Sequence, residues 1–289
     1  MKSARDVYLQ SAGLRLHALE WGQPDAPAIV LLHGLRSYGA TWELVADLLA
    51  ADYRLIALDQ RGRGESDWDP AREYFTPAYV ADLEALVAHL GLQRFILVGH
   101  SMGGTNALVY TQKHPEKVRA LVIEDIGPGS SISGAGAARI RREVANTPAS
   151  FASWDEGRAF WRSRRPLVTE AALDSRVQHS MRELADGRIT WKYDAQGIAA
   201  ARLDPDPERI VDLWPGVKSL RCPTLLLRGA ESDFLSMETA QSMLEAAPCI
   251  EWHDIPGASH YVHDDNPADF LARLGDFIAR VAPAKEVAA

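Results

Sequence analysis

Four runs in the first half of the chain are apolar almost without interruption: AIVLLHG at 28–34, YRLIALD at 53–59, RFILVGH at 94–100 and VRALVIED at 118–125. A strand with one wet face alternates apolar and polar residues, so runs this continuous predict strands of a parallel sheet covered on both faces. Two earlier segments, DVYLQSA and LRLHALEW, separated by Gly13, read as a hairpin. Between the second and third runs, Val80, Leu83, Leu86, Val87 and Leu90 recur at helical spacing. With Thr76 as N-cap, Pro77 as the first helical residue and Gly91 as the stop, they predict a surface helix lying on the sheet.

From 127 to 221 the strand-like runs vanish, Gly and Ser cluster in GPGSSISGAGAAR, and Arg and Trp become frequent, which predicts a helical insertion. The alternation resumes with PTLLLRG (223–229), a helix near 236–247, CIEWHDI (249–255) and a last helix opened by DDNPADF; the tail APAKEVAA reads as a frayed end. The expected division is therefore a core of 1–126 and 222–289 and an insertion of 127–221.

Composition narrows the partners. A net charge of −8 in 289 residues argues against nucleic acid, whose phosphates call for a basic face. The insertion is the exception: it holds fifteen Lys and Arg against twelve Asp and Glu, a net of +3. Two cysteines, Cys222 and Cys249, make no disulfide framework. No segment has the ~20 apolar residues of a membrane span, and MKSARDVYLQSAG lacks a secretion signal, so a cytoplasmic protein is expected. The oligomeric state is not legible.

Gly99-His100-Ser101-Met102-Gly103 matches G-x-S-x-G where a buried strand must turn sharply into a helix, a turn that exposes a serine hydroxyl on strained backbone. Such a serine needs a base and an acid to orient it, supplied from the ends of later strands. GAESD after 223–229 offers Asp233; PGASHYVHDD after 249–255 offers His260 and His263, of which His263 reads as part of an exposed approach to the last helix. Glu124 and Asp125, closing the run at 118–125, are the alternative acids.

His33-Gly34, DQRGRGES from Asp59 to Ser66, GHSMGG, an Asp after 223–229 and GASH, in that order, resemble the α/β-hydrolases. The resemblance implies a mostly parallel eight-stranded sheet with helices on both faces and an inserted helical cap. It implies Ser101 as nucleophile, His260 as base and Asp233 as its orienter, with the backbone N–H groups of Leu35 and Met102 as oxyanion hole. The implied reaction is hydrolysis of a carboxylic ester or lactone without cofactor. The same residues could serve carbon–carbon, amide or enamine cleavage, or perhydrolysis; a dehalogenase or epoxide hydrolase would need Asp in place of Ser101. A binder that keeps the fold without catalysis is the alternative of another class.

Arg36, directly after Leu35, suggests a substrate with an acid group, since arginine holds a carboxylate through two hydrogen bonds. His100, Trp154 and Trp161 are further candidates for the substrate site. The H-x-x-H pair of His260 and His263 has no third ligand at a recognisable spacing, so no metal is expected. Asp59 and Arg61 read as structural.

Overall fold

A computed structural model describes residues 3–283 of the chain; the tail expected to fray lies outside them from 284 onward. β1 (Arg5–Ser11) and β2 (Leu14–Trp21) form the hairpin, followed by β3 (Ala28–Leu32), α1 (Glu43–Leu49), β4 (Arg54–Asp59), α2 (Thr76–His89), β5 (Phe95–His100), α3 (Met102–Lys113) and β6 (Val118–Glu124). Then come α4 (Gly134–Ala145), β7 (Ser150–Phe151), α5 (Trp154–Arg164), α6 (Glu170–Ser180), β8 (Met181–Glu183), β9 (Ile189–Trp191), α7 (Ala195–Leu203) and α8 (Trp214–Ser219). β10 (Thr224–Gly229), α9 (Met237–Ala246), β11 (Ile250–Ile255), α10 (Val262–Asp265) and α11 (Pro267–Val281) return to the main sheet.

That sheet has eight strands in the order β1-β2-β4-β3-β5-β6-β10-β11, antiparallel at β1/β2 and β2/β4 and parallel elsewhere. Its central strands β3, β4, β5, β6 and β10 are buried on both faces because both are covered. Along β5, Phe95 and Leu97 enter one core cluster with Leu83 and Leu86 of α2, while Ile96 and Val98 enter the other with Phe270, Leu274 and Phe277 of α11. Each such side chain, fully buried, contributes roughly 1.5–3 kcal/mol.

Two local expectations are corrected. α2 begins at Thr76 with Phe75 at the cap, and Phe75 makes no side-chain hydrogen bond there. The region 127–221 is not purely helical: β7, β9 and β8 form a small antiparallel sheet. Strands of two or three residues are too short to leave an apolar run in the sequence.

Candidate active site

The parallel strands end on one edge, and the chain turns there. Ser101 bridges β5 and α3 at φ 52°, ψ −117°, a left-handed backbone that a non-glycine residue adopts at a cost of ~1–3 kcal/mol. A Cβ on Gly99 would lie 2.4 Å from the Gly103 carbonyl oxygen, and one on Gly103 would lie 2.2 Å from that of Leu32. The tight crossing of strand and helix excludes any side chain at both positions.

His260 lies in the loop after β11, its Nε2 2.9 Å from Ser101 Oγ. Its Nδ1 is 2.7 Å from Asp125 Oδ2. Asp125 follows β6 at φ 51° and is fully buried. Its Oδ2 also accepts from the Ser232 hydroxyl at 2.6 Å, and its Oδ1 from the Gly229 N–H at 3.1 Å. Asp233, the carboxylate favoured from sequence, is elsewhere. Both its oxygens are taken by Arg139 of α4, at 2.7 and 2.8 Å, and its carbonyl accepts the Gly136 N–H at 2.9 Å. The left-handed turn after β6 brings Asp125 to His260, whereas the turn after β10 places Ser232 there and leaves Asp233 facing α4.

A second histidine–carboxylate pair stands beside the first. His263 is buried, with Nδ1 2.7 Å from Glu124 Oε1 and Nε2 3.0 Å from Thr41 Oγ1. The expected exposed approach is thus a buried ion pair, hidden from sequence because its halves lie 139 residues apart. Consecutive residues 124 and 125 therefore each hold one histidine of the 260–263 segment. Burial alone would lower His263, but Glu124 and Asp264 lift it to about 9. Burial, then Arg139 and Arg165, push His260 well below its ordinary 6.5. Burial takes His100 down to about 3, so its imidazole is neutral; Nε2 donates to the His260 carbonyl at 2.8 Å and Nδ1 has no hydrogen-bond partner among the described residues. Among the described residues, His100, Glu124 and His263 form the group whose donor atoms, within 4.8 Å of one another, could hold a metal ion; the Glu124–His263 bond already occupies part of it.

The loop after β3 faces Ser101. His33 donates from Nδ1 to the Gly34 carbonyl at 2.8 Å and accepts the Gln60 N–H at 3.1 Å, fixing the turn into Leu35. Arg63, which sequence reasoning passed over within DQRGRGES, is fully buried and donates to the Leu35 carbonyl at 3.0 Å, with Nη2 3.6 Å from Met102 Sδ. It ties together the two residues whose N–H groups were expected to meet an oxyanion. Asp59 braces the same region through the Gly39 and Glu65 N–H groups, and Arg61 pairs with Asp82 and Asp69.

Two compartments meet at Ser101. The larger, about 340 Å³, is walled mainly by Leu35, Met102, Ile126, Ile198, Leu213 and Phe234. The smaller, about 30 Å³, is lined by Arg36, His100, Arg165, Arg176, His260 and Tyr261 among others. Arg36 reaches it, but Nη2 is bonded to Glu143 of α4, which also takes Arg139 at 3.0 Å and Arg165 at 3.2 Å. Despite its burial, these guanidiniums hold Glu143 down at about 2. Trp161 is fully buried, its ring flanked by Arg36, Arg165 and Arg176 at 5.1–5.5 Å, and lines neither compartment. Trp154 lines neither, and at 40% exposure sits in the acidic first turn of α5.

A family model described as alpha/beta hydrolase fold matches residues 27–267. The chain belongs to that family. Several of its relatives are named as hydrolases or lipases, and one, at 28% identity, as a 2-succinyl-6-hydroxy-2,4-cyclohexadiene-1-carboxylate synthase. The chain is 30% identical over 271 residues to a 3-hydroxybutyrate-oligomer hydrolase of Cupriavidus necator, covering 87% of this chain and 89% of that protein. It is 27% identical to a 2-(acetamidomethylene)succinate hydrolase of Mesorhizobium japonicum, covering 88% of each. The crystal structure of an E-2-(acetamidomethylene)succinate hydrolase superposes with a TM-score of 0.85 at 26% identity, over 96% of this chain and 99% of that one. Among the described residues no helix is long and apolar enough to cross a membrane.

Proposed function

We propose that this alpha/beta hydrolase is a serine hydrolase that cleaves a carboxylic ester or lactone through an acyl-enzyme, with Ser101, His260 and Asp125 as its triad and 127–221 as a cap. The observation that carries the reading is the unbroken line from the Ser101 hydroxyl through both nitrogens of His260 to the buried Asp125. His260 is neutral at rest because burial and nearby arginines disfavour its charge, so Nε2 is free to take the Ser101 proton. Oγ then bonds to the acyl carbon, and the negative oxygen of the tetrahedral intermediate meets the N–H groups of Leu35 and Met102. The imidazolium, steadied by Asp125 at Nδ1, returns the proton to the departing alcohol. Water repeats the sequence to free the acid.

The two relatives' names, a hydroxybutyrate oligomer and a substituted succinate, both describe carboxylate-bearing substrates, which fits the acidic substrate suggested by Arg36. The test is a fluorophosphonate probe followed by intact mass, with a screen of p-nitrophenyl esters, lactones and acidic acyl compounds. One label per chain, absent in Ser101→Ala, supports the reading; an unlabelled wild type overturns it in favour of a non-catalytic binder.

A further inference from the structure

Counter-charge is divided unequally between the two compartments. In the smaller one Arg36 and Arg165 share Glu143 and Arg176 has Asp264, so that its one guanidinium without a carboxylate among the described residues is Arg202, which it shares with the larger. Around the larger one, Arg209 pairs with Glu73 and Asp206, but Arg63, Arg141 and Arg202 form no ion pair among the described residues. Arg63 is engaged by neutral groups, the carbonyls of Leu35 and Arg61 and the Tyr79 hydroxyl. Arg141 donates to a single carbonyl, that of Ile132, at 3.1 Å. Arg202 makes no side-chain hydrogen bond within the described residues, and it lines both compartments beside Ser101.

The three line the same cavity, and apolar neighbours such as Ile198 and Leu213 keep the local dielectric low, which strengthens repulsion between like charges. Burial, with the like charges of Arg63 and Arg141, holds Arg202 below the ordinary arginine value. Arg141 comes from α4 and Arg202 from α7, helices that pack against each other over the cavity. Among the described residues no carboxylate is paired with Arg63, Arg141 or Arg202.

We infer that the larger compartment receives an anionic group of the substrate, a carboxylate or a phosphoryl group, held by Arg202 and Arg141 while the scissile carbonyl lies at Ser101. The inference rests on the serine-hydrolase reading of Ser101, and it moves the acid group from Arg36, whose charge Glu143 already answers, to the opposite side of the nucleophile. The ligand's negative charge offsets the repulsion among the arginines, so affinity for it is supplied by relief of that strain as well as by new hydrogen bonds.

The test compares p-nitrophenyl valerate with mono-p-nitrophenyl glutarate, which differ by a carboxylate, on wild type, Arg202→Gln, Arg202→Lys and Arg36→Gln. Removing one partner of a buried charge pair predicts that the ratio of kcat/KM for the charged over the neutral ester falls at least ~30-fold in Arg202→Gln. Arg202→Lys, which keeps the charge, restores part of it. Calorimetric titration of Ser101→Ala with glutarate and with inorganic phosphate shows which anion is preferred; binding of either, lost in the Ser101→Ala/Arg202→Gln double variant, supports the inference. A ratio within ~3-fold of wild type in Arg202→Gln, a fall confined to Arg36→Gln, or no binding of either anion overturns it. Fluorophosphonate labelling of wild type and Arg202→Gln keeps the two readings apart: loss of label in wild type fails the hydrolase assignment, whereas a labelled serine with an unchanged ratio fails only the anion site.

Discussion

Asp125→Asn separates the two candidate acids most sharply. The substituted amide has one oxygen and one NH2 where the carboxylate had two acceptors. Oδ1 must still accept the Gly229 N–H at 3.1 Å, a backbone donor that cannot move, so the amide oxygen stays on that side. The NH2 then falls where Oδ2 lies 2.7 Å from His260 Nδ1, while the Ser232 hydroxyl can rotate to keep its contact. An NH2 facing Nδ1 forces the imidazole to carry its proton on Nε2, the nitrogen that must accept from Ser101. The fold survives and the base is held in the wrong tautomer, for which turnover should fall about 10⁴-fold, equivalent to ~5.5 kcal/mol of activation free energy. Asp233→Asn, which weakens only the tie to Arg139, should stay within ~10-fold of wild type, as the pair is half exposed and screened. Kinetics with an activated p-nitrophenyl ester, alongside circular dichroism and melting curves for both variants, make the comparison. Asp125→Asn within tenfold of wild type, or Asp233→Asn losing as much, would refute the tautomer argument.

Three further outcomes follow from the same geometry. His260 must be neutral to accept the serine proton and its pKa lies below 6.5, so the acid limb of the kcat/KM profile should fall below pH 6.5; a limb at or above that value contradicts the electrostatics. Glu124→Gln leaves His263 buried with only the more distant Asp264, at 3.7 Å, as counter-ion and should cost about 3 kcal/mol of stability. Because the folded His263 is raised to about 9 from an unfolded value near 6.5, its contribution is whole below pH 6.5 and is lost as pH rises through 9. The melting-temperature gap between wild type and Glu124→Gln should accordingly be widest near pH 6 and narrow by pH 9, and a gap that widens with pH argues against the ion pair. Arg63→Ala frees both Leu35 and Met102, and should lower kcat by about 100-fold with little change in KM if donor placement is what it supplies; a change in KM alone would assign it to substrate binding.

Much of this was readable in the chain because it is local. Continuous apolar runs mark the covered strands, and the glycines around Ser101 mark a crossing too close for side chains. Which carboxylate faces His260 was not, since carboxylates follow both β6 and β10 and the outcome depends on the left-handed φ of Asp125, which no periodicity encodes. His263 was misplaced for a related reason: its surroundings in sequence are polar, and its partner Glu124 arrives from another strand. Arg36 and Trp161 announced charge and aromatic surface, but that Glu143 would neutralise the first and the core of the cap enclose the second are facts of packing. The reverse holds at Arg202, whose lack of a hydrogen-bonded or ionic partner among the described residues is a fact of packing and not of sequence.

The 127–221 segment is tied down beside Ser101 and His260. Arg176 of α6 grips Asp264, four residues after His260, and Arg139 of α4 grips Asp233, next to the serine that bonds Asp125. These ties run to the loop that carries His260 and to the one that carries Ser232, so a shift of either helix is passed to the groups that bond His260 and Asp125.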